Sequence, residues 1–561
     1  MTRPDFVLML HSHLPWVLHH GRWPHGSDWL CEAALDTYLP LIEQLRRLDA
    51  DRIPAPLTLG ITPVLANQLA HPDFPAEFAH FLEERLRAAR RAPADLAATG
   101  DAELIPIAAW WRDRLERLGR LLDALGGNLI AEFRRHEEAG RIEIAGSAAT
   151  HGYLPLLGRD ESIRLQLLVG VREHERLFGR SPRGCWVPEC AYRPRGTWAP
   201  RGAPVVAERG GIDEHLADAG YAYFFVDSHL AAAGHPLGAY PDVPLGAERF
   251  DAARHDTAGS DGAIPARSPY RAYVVTRPGD PPLRALVRDP VSSMQVWSRH
   301  QGYPGDGAYL EFHKIRWPGG LKLWRVTGPD LDLGLKQAYD VTTAAQRVGT
   351  HAGHFAWLLG EIADGQPRGG VIVAPFDTEL FGHWWFEGVE FIGALYRALA
   401  GQRRVQPATA SDHVGRRRRQ RRIRLAEGSW GAHGDHRMWL NAGTQWTWDR
   451  LWPLEERFWA AAPFALATRW ARPVLAAAAR QLLLAQSSDW QFIISTGAAS
   501  DYAEQRLGGH CDDADALLAA LTPDAGVEQR ADAVALAERI DHRDALFPDV
   551  LGAVATALAP R

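Results

Sequence analysis

Val371-Ile372-Val373-Ala374 is an unbroken apolar run, and just past Pro375 it leads into Phe376-Asp377-Thr378-Glu379. A short run of this kind reads as a strand buried on both faces, as in a parallel sheet. Five more precede it: Phe6–Leu10, Leu57–Ile61, Ile142–Ala145, Gly184–Val187 and Tyr223–Val226. Helical stretches alternate with them at Trp29–Leu48, Glu77–Arg91, Trp110–Glu138, Ser162–Phe178 and Gln346–Ala363. That alternation predicts an α/β fold. The strand exits are polar: His11-Ser12-His13, Thr62-Pro63, a loop reaching His151, Pro188-Glu189-Cys190, Asp227-Ser228-His229, and the Asp377 turn. Reactive residues gathered past strand C-termini are the layout of a (β/α) barrel. No GxGxxG or Walker loop opens a helix, which disfavours a nucleotide-binding doubly wound sheet.

The rest of the chain narrows the class. Its 561 residues carry 62 basic and 68 acidic groups, a balance of −6 that argues against a nucleic-acid binder. Hydrophobic residues make up 46%, enough for a large core. No run of some 18 apolar residues occurs, so no membrane helix is expected, and the short apolar start at Phe6–Leu10 points to a cytoplasmic protein. Four cysteines without a CxxC pair exclude a disulfide scaffold. Residues 231–282, rich in Gly, Pro, Ala and Asp, read as an inserted loop or subdomain. The arginine-rich run 416–422 marks a boundary, and helical patterns follow at Leu451–Ala462, Pro473–Gln486, Asp512–Leu521 and Arg530–Ile540.

Two carboxylate sites carry the chemistry. Glu189 follows an apolar strand, and Asp377 and Glu379 share a face if the strand geometry continues. Paired carboxylates among aromatics suit glycosidic chemistry, one attacking the anomeric carbon while the other protonates the leaving oxygen. The 21 tryptophans, many beside Gly, Pro, His and Asp, fit a sugar-binding cleft. Two other readings stay open. His11 and His13, completed by His151, Asp227, His229 or Asp377, could ligate the metal of a hydrolase. A tryptophan-lined glycan-binding protein without catalysis would carry aromatics without paired carboxylates.

Five separated blocks resemble glycoside hydrolase family 57, and within it the 1,4-α-glucan branching subgroup: His11-Ser12-His13-Leu14-Pro15-Trp16, Gly60-Ile61-Thr62-Pro63-Val64-Leu65, Trp186-Val187-Pro188-Glu189-Cys190, Phe376–Trp385, and Ser487-Ser488-Asp489-Trp490. Arg288-Asp289-Pro290, Gln295-Val296-Trp297-Ser298, Gly302-Tyr303-Pro304-Gly305-Asp306 and Glu427-Gly428-Ser429-Trp430-Gly431 are similar to the branching subgroup. The resemblance implies an incomplete TIM-like (β/α)7 barrel over 1–405, interrupted by a small insert and lid at 191–282. A helical C-terminal domain over 406–561 would contribute to the cleft.

It further implies Glu189 as nucleophile and Asp377 as acid/base, with Glu379 in support. His11, His13, Trp23, Trp29, His151, Arg288, Trp297, Gly305, Trp430, Trp439 and Asp489 would line a glucan cleft, the histidines as sugar and carboxylate partners rather than metal ligands. A lid tyrosine is also implied; its counterpart is Tyr270 in Ser268–Tyr273, after an insertion around Leu237–Arg267. The expected activity is retaining transfer of an α-1,4-glucan segment (amylose or glycogen) to a 6-hydroxyl. It needs no cofactor, metal, nucleic acid or membrane, and a monomer is expected. A hydrolase or 4-α-glucanotransferase on the same scaffold is the alternative.

Overall fold

The computed structural model describes residues 3–200, 207–237, 267–297, 302–328, 330–366, 369–416 and 420–559. Seven parallel strands form a curled sheet: β1 (Asp5–Ser12), β2 (Leu57–Ile61), β3 (Ile142–Ser147), β4 (Gly184–Trp186), β5 (Tyr223–Val226), β6 (Arg284–Val287) and β7 (Val371–Asp377). The spatial order is β7-β1-β2-β3-β4-β5-β6, so the chain winds round once in sequence order before β7 returns beside β1. Every residue of β1, β2 and β5 is buried, which is why these strands read as continuous apolar runs. The result is a (β/α)7 barrel.

The barrel closes weakly. Between β6 and β7 the backbone meets only at the upper end, where Arg288 bridges Val373 and the Asp289 N–H donates to the Val373 carbonyl at 2.8 Å. Lower down, the short strand Tyr273–Val274 pairs antiparallel with β6 and fills the gap. The Tyr270 carbonyl accepts from Val371 N–H at 3.1 Å, and its hydroxyl hydrogen-bonds the buried Asp289 carboxylate. The backbone of Tyr270 is tied to the first residue of β7, roughly 20 Å along the strand from Asp377 at the other end. Tyr270 ties the barrel seam, and residues 238–266, most of the expected lid, lie outside the described residues.

Two domain boundaries also move. The expected insert 191–282 contains β5 and the helix Ile212–Asp218, both part of the barrel wall. At the other boundary, Gln406–Pro407 pairs with β1, and the helix Ala410–Arg416 serves a buried charge at the start of β1. There His413 Nδ1 lies 2.8 Å and Arg416 Nη1 3.3 Å from the Asp5 carboxylate. Cutting at 405 would leave that buried carboxylate unpaired. The expected helix Trp110–Glu138 is two, Ile105–Ala124 and Leu129–Glu138. Gly126 and Gly127 turn the chain at positive φ, and Asn128 caps the second helix through Ala131 N–H.

The C-terminal region is helical, centred on Ala471–Ala485, which is apolar all round and buried over most of its length. It packs between Gln445–Ala467, Ser500–Ala520 and Val527–Arg543. A buried polar zipper docks this bundle to the barrel. Glu455 accepts from Gln486 Nε2 at 2.7 Å and from Gly158 N–H, and Gln166 Nε2 donates to Gln486 Oε1 at 3.0 Å and to Thr150 Oγ1 at 2.9 Å. No helix among the described residues is long and apolar enough to cross a membrane.

If Tyr270 ties the seam, Tyr270→Phe removes one hydrogen bond to a buried carboxylate. The expected cost is about 1–3 kcal/mol of stability, read as a lowered melting temperature. An unchanged melting temperature would show that the hydroxyl contributes nothing there.

Candidate active site

Glu189 follows β4 in a tight turn, Pro188–Cys190, where Glu189 (φ 60°) and Cys190 (φ 48°) are both left-handed. Two consecutive non-glycine residues in that region store backbone strain, and such strain clusters at functional sites. The turn aims the carboxyl inward. Trp430 Nε1 donates to Oε2 at 2.8 Å, Ser488 Oγ donates to Oε1 at 3.0 Å, and Trp430 N–H donates to the Glu189 carbonyl. Burial pushes the carboxyl up to about 7 against these two donors, and the nearby Asp377 charge adds to the rise.

Asp377 ends β7, in register with His11 on β1. Burial, reinforced by Glu379, pushes it up to about 8, while Arg288 opposes the shift. It makes no side-chain hydrogen bond among the described residues. Glu379, raised by burial to about 7, accepts from the Tyr38 hydroxyl and from His13 N–H at 3.2 Å. Arg288 is clamped in place. Its guanidinium carbon lies 5.9 Å from the Trp297 ring centre and 5.6 Å from that of Trp430; Nε donates to Ser293 at 3.1 Å, and Asp227 is 3.5 Å away.

The histidines form a chain whose direction can be worked out. Burial holds His11 and His151 well below the usual histidine range, so both rings are neutral. Ser488 spends its single proton on Glu189, so it accepts from His151 Nδ1 (2.9 Å); His151 Nε2 therefore accepts from His11 Nε2 (3.0 Å). His11 stacks on Trp186 at 4.7 Å. His13 bridges Thr62 (2.9 Å) and Asp489 (2.8 Å). Burial pushes Asp489 up, but the charge and hydrogen bond of His13 prevail and hold it below its ordinary value. His13, His151 and Asp489 place ligand atoms within 4.8 Å of one another, a set able to hold a metal ion. In this structure those three residues are engaged by hydrogen bonds to each other and to their neighbours.

The structure therefore brings Glu189, Asp377, His11, His13, His151, Arg288, Trp297, Trp430 and Asp489 into one cluster. Trp297 stands 6.4 Å from Phe376 and 6.0 Å from Trp430, ring centre to ring centre. Trp29 sits farther out, between His25 and Tyr502, and Trp23 is 69% exposed beside Trp317. Gly305 ends the turn Tyr303–Gly305, whose Tyr303 packs on His351 and Trp385. Trp439 departs from expectation. It is 1% exposed, stacked on Tyr153 at 4.4 Å beneath the Trp430 loop, and offers no ring face to a ligand. Ser488 and Tyr38 are neighbours of the site that were not assigned as site residues, and Asp227, weighed only as a metal ligand, stands 3.5 Å from Arg288. Ser488 was visible in its Ser-Ser-Asp block; Tyr38 gave no signal, being one aromatic on a helical face.

Residues 7–426, the larger part of the chain, match the model of glycosyl hydrolase family 57. The chain belongs to glycosyl hydrolase family 57. Residues 454–552 match the family described as 1,4-alpha-glucan branching enzyme, C-terminal. The 1,4-alpha-glucan branching enzyme TK1436 of Thermococcus kodakarensis is 38% identical over 517 residues, 90% of this chain and 72% of that protein. Its crystal structure, in complex with glucose and additives, superposes with a TM-score of 0.86 at 36% identity, covering 98% of this chain and 96% of that one. The GH57-type branching enzyme of Pyrococcus horikoshii gives 0.87 at 35% identity over 100% and 98%. The α-amylase AmyC of Thermotoga maritima gives 0.78 at 28% identity over 99% of both chains.

Asp377 holds a proton in the folded state well above its ordinary value of 3.8, so the folded protein binds more protons than the unfolded one between pH 4 and 8. That contribution to stability is full at low pH and is lost as pH rises through about 8. Asp377→Asn has no proton to lose. Its melting temperature relative to the parent is expected to climb from pH 5 to pH 8; a constant difference would mean the carboxyl is not raised.

Proposed function

We propose that this family 57 enzyme is a 1,4-α-glucan branching enzyme acting by retaining double displacement on glycogen-like polymer in the cytoplasm. Two findings support it: the branching-enzyme C-terminal match and the likeness, at 35–38% identity, to branching enzymes over nearly the whole chain. The observation that carries the mechanism is the asymmetry of the two raised carboxyls. Burial raises both, but Glu189 has two donors on its oxygens that favour its anion, whereas Asp377 has no such donor among the described residues.

Glu189 attacks the anomeric carbon of an α-1,4-glucan while Asp377 gives its proton to the departing 4-oxygen. The C1–O4 bond breaks and a glycosyl ester forms on Glu189. Asp377, now ionised, takes the proton of an acceptor 6-hydroxyl, whose oxygen attacks C1 and releases Glu189. Both inversions occur at one carbon, so α gives α. The donor is itself a glycoside, so the reaction needs no nucleotide sugar, and in this reading it needs no metal. The likeness to AmyC favours hydrolysis as the second reading, in which water takes the acceptor's place.

Amylose incubated with the pure enzyme is expected to gain α-1,6 linkages well in excess of new reducing ends; reducing ends alone would favour the hydrolase. Glu189→Gln and Asp377→Asn are each expected to lose roughly a hundred- to ten-thousand-fold or more in turnover while still binding glucan. Chelation is expected to leave activity intact. Loss of activity with release of about one zinc per chain would favour the His13–His151–Asp489 metal reading.

The pH profile tests the charge assignments. Because the Glu379 charge helps raise Asp377, Glu379→Gln is expected to move the alkaline limb of kcat/KM to lower pH. An unmoved or raised limb would sink the assignment of Asp377 as the acid.

A further inference from the structure

Large aromatic side chains rarely stand in solvent without a use. Trp23 (69% exposed) and Trp317 (59% exposed) meet edge to face at 6.4 Å and line a solvent-open groove of about 180 Å³. Asp28, Glu32, Asp36, Arg85, Lys322 and Trp111 also line it, with Arg85 paired to Glu32 and Lys322 beside Asp36. That mixture of flat apolar faces and carboxylates suits a neutral ring with C–H faces and hydroxyl edges.

The groove is built in advance. Arg85 donates to Glu32 at 2.6 Å and to the Gly319 carbonyl at 3.0 Å, pinning the Trp317 loop to the helix Phe74–Thr99. Gly319 and Gly320, both at positive φ, let that loop sit this close. A Cβ on Gly319 would lie 2.0 Å from Ala88 Cβ, and one on Gly320 1.5 Å from Arg85 Nη1. Asp28 makes no hydrogen bond among the described residues, so its carboxylate is free to accept from a ligand.

The groove shares an element with the active site. Leu35 and Asp36 of the π-helical turn Ala34–Tyr38 line it, and Tyr38 of the same turn donates to Glu379, two residues past Asp377. Asp36 lies 3.7 Å from His383 and 3.9 Å from Lys322. The Lys322 ammonium stands 4.6 Å over Phe312, which packs at 4.5 Å on Trp384, 53% exposed beside the catalytic turn.

We propose that this groove is a remote chain-binding site, holding a segment of α-1,4-glucan several glucose units from the bond being cut, with Trp317 as its platform and Asp28 and Glu32 taking hydroxyl hydrogen bonds. The identity of the ligand rests on the α-glucan reading above. The test is amylose affinity, measured by calorimetry in the catalytically silenced Glu189→Gln protein. Trp317→Ala is expected to weaken it about three- to tenfold, the worth of one aromatic face, and Asp28→Ala is expected to weaken it as well.

Circular dichroism and melting temperature establish that each variant is folded. Unchanged amylose affinity in both folded variants overturns the groove. If the parent makes no α-1,6 linkages yet Trp317→Ala lowers amylose affinity, the branching reading fails and the groove stands. If branching is intact and the affinity does not move, the groove alone fails.

Discussion

The organisation of the molecule depends on one buried carboxylate being held from two directions. Glu189 takes hydrogen bonds from Trp430, 241 residues downstream, and Ser488, 299 residues downstream. A carboxylate in so dry a place favours its neutral form, and donors to its oxygens are what make the anion accessible. A barrel strand supplies the acid and two later segments supply its donors, so the barrel alone could not ready Glu189. The zipper of Glu455, Gln486, Gln166 and Thr150 follows from that need, because it fixes the loop carrying Ser488 against the one carrying His151. The helical C-terminal region is therefore part of the catalytic apparatus.

The same economy governs charge. Glu189, Asp377 and Glu379 are all raised by burial, and each ionisation makes the next harder; Arg288 and His13 temper the crowding. Neutral His11 and His151 add directed hydrogen bonds without adding charge, ending in the proton that Ser488 offers Glu189. A site arranged for stability alone would not bury three carboxyls together, and the strained turn at Glu189–Cys190 points the same way.

Much of this was legible in the sequence, and the failures have physical causes. Leu57–Ile61 and Tyr223–Val226 were read at their observed bounds because strands buried on both faces are apolar without alternation. β6 escaped notice because Arg284 opens it and Pro281-Pro282 precede it, so it looked like the end of a loop. Glu189 and Asp377 were singled out because strand exits are where barrel chemistry collects, whereas Arg288, past the unread β6, came only from the family resemblance. The surroundings of Tyr270 and Trp439 could not be read in advance: sequence order says nothing about which end of a barrel a loop returns to, or which face of an aromatic ring is covered. The arginine run near 416 looked like a domain edge, whereas Arg416 and His413 serve the buried Asp5.

The seam links these observations. Seven strands meet fully at six junctions, and at the seventh the barrel is joined only near its top, by Arg288 and Asp289 against Val373. That single point of closure fixes the backbone of Arg288 beside the strand that carries Asp377, so its guanidinium bears on the acid from a set position. Lower down, where no chemistry is required, the gap is left to Tyr273–Val274 and the Tyr270 tie. Burial and then Glu379 raise Asp377 most, and Arg288, held where the sheet barely closes, opposes them.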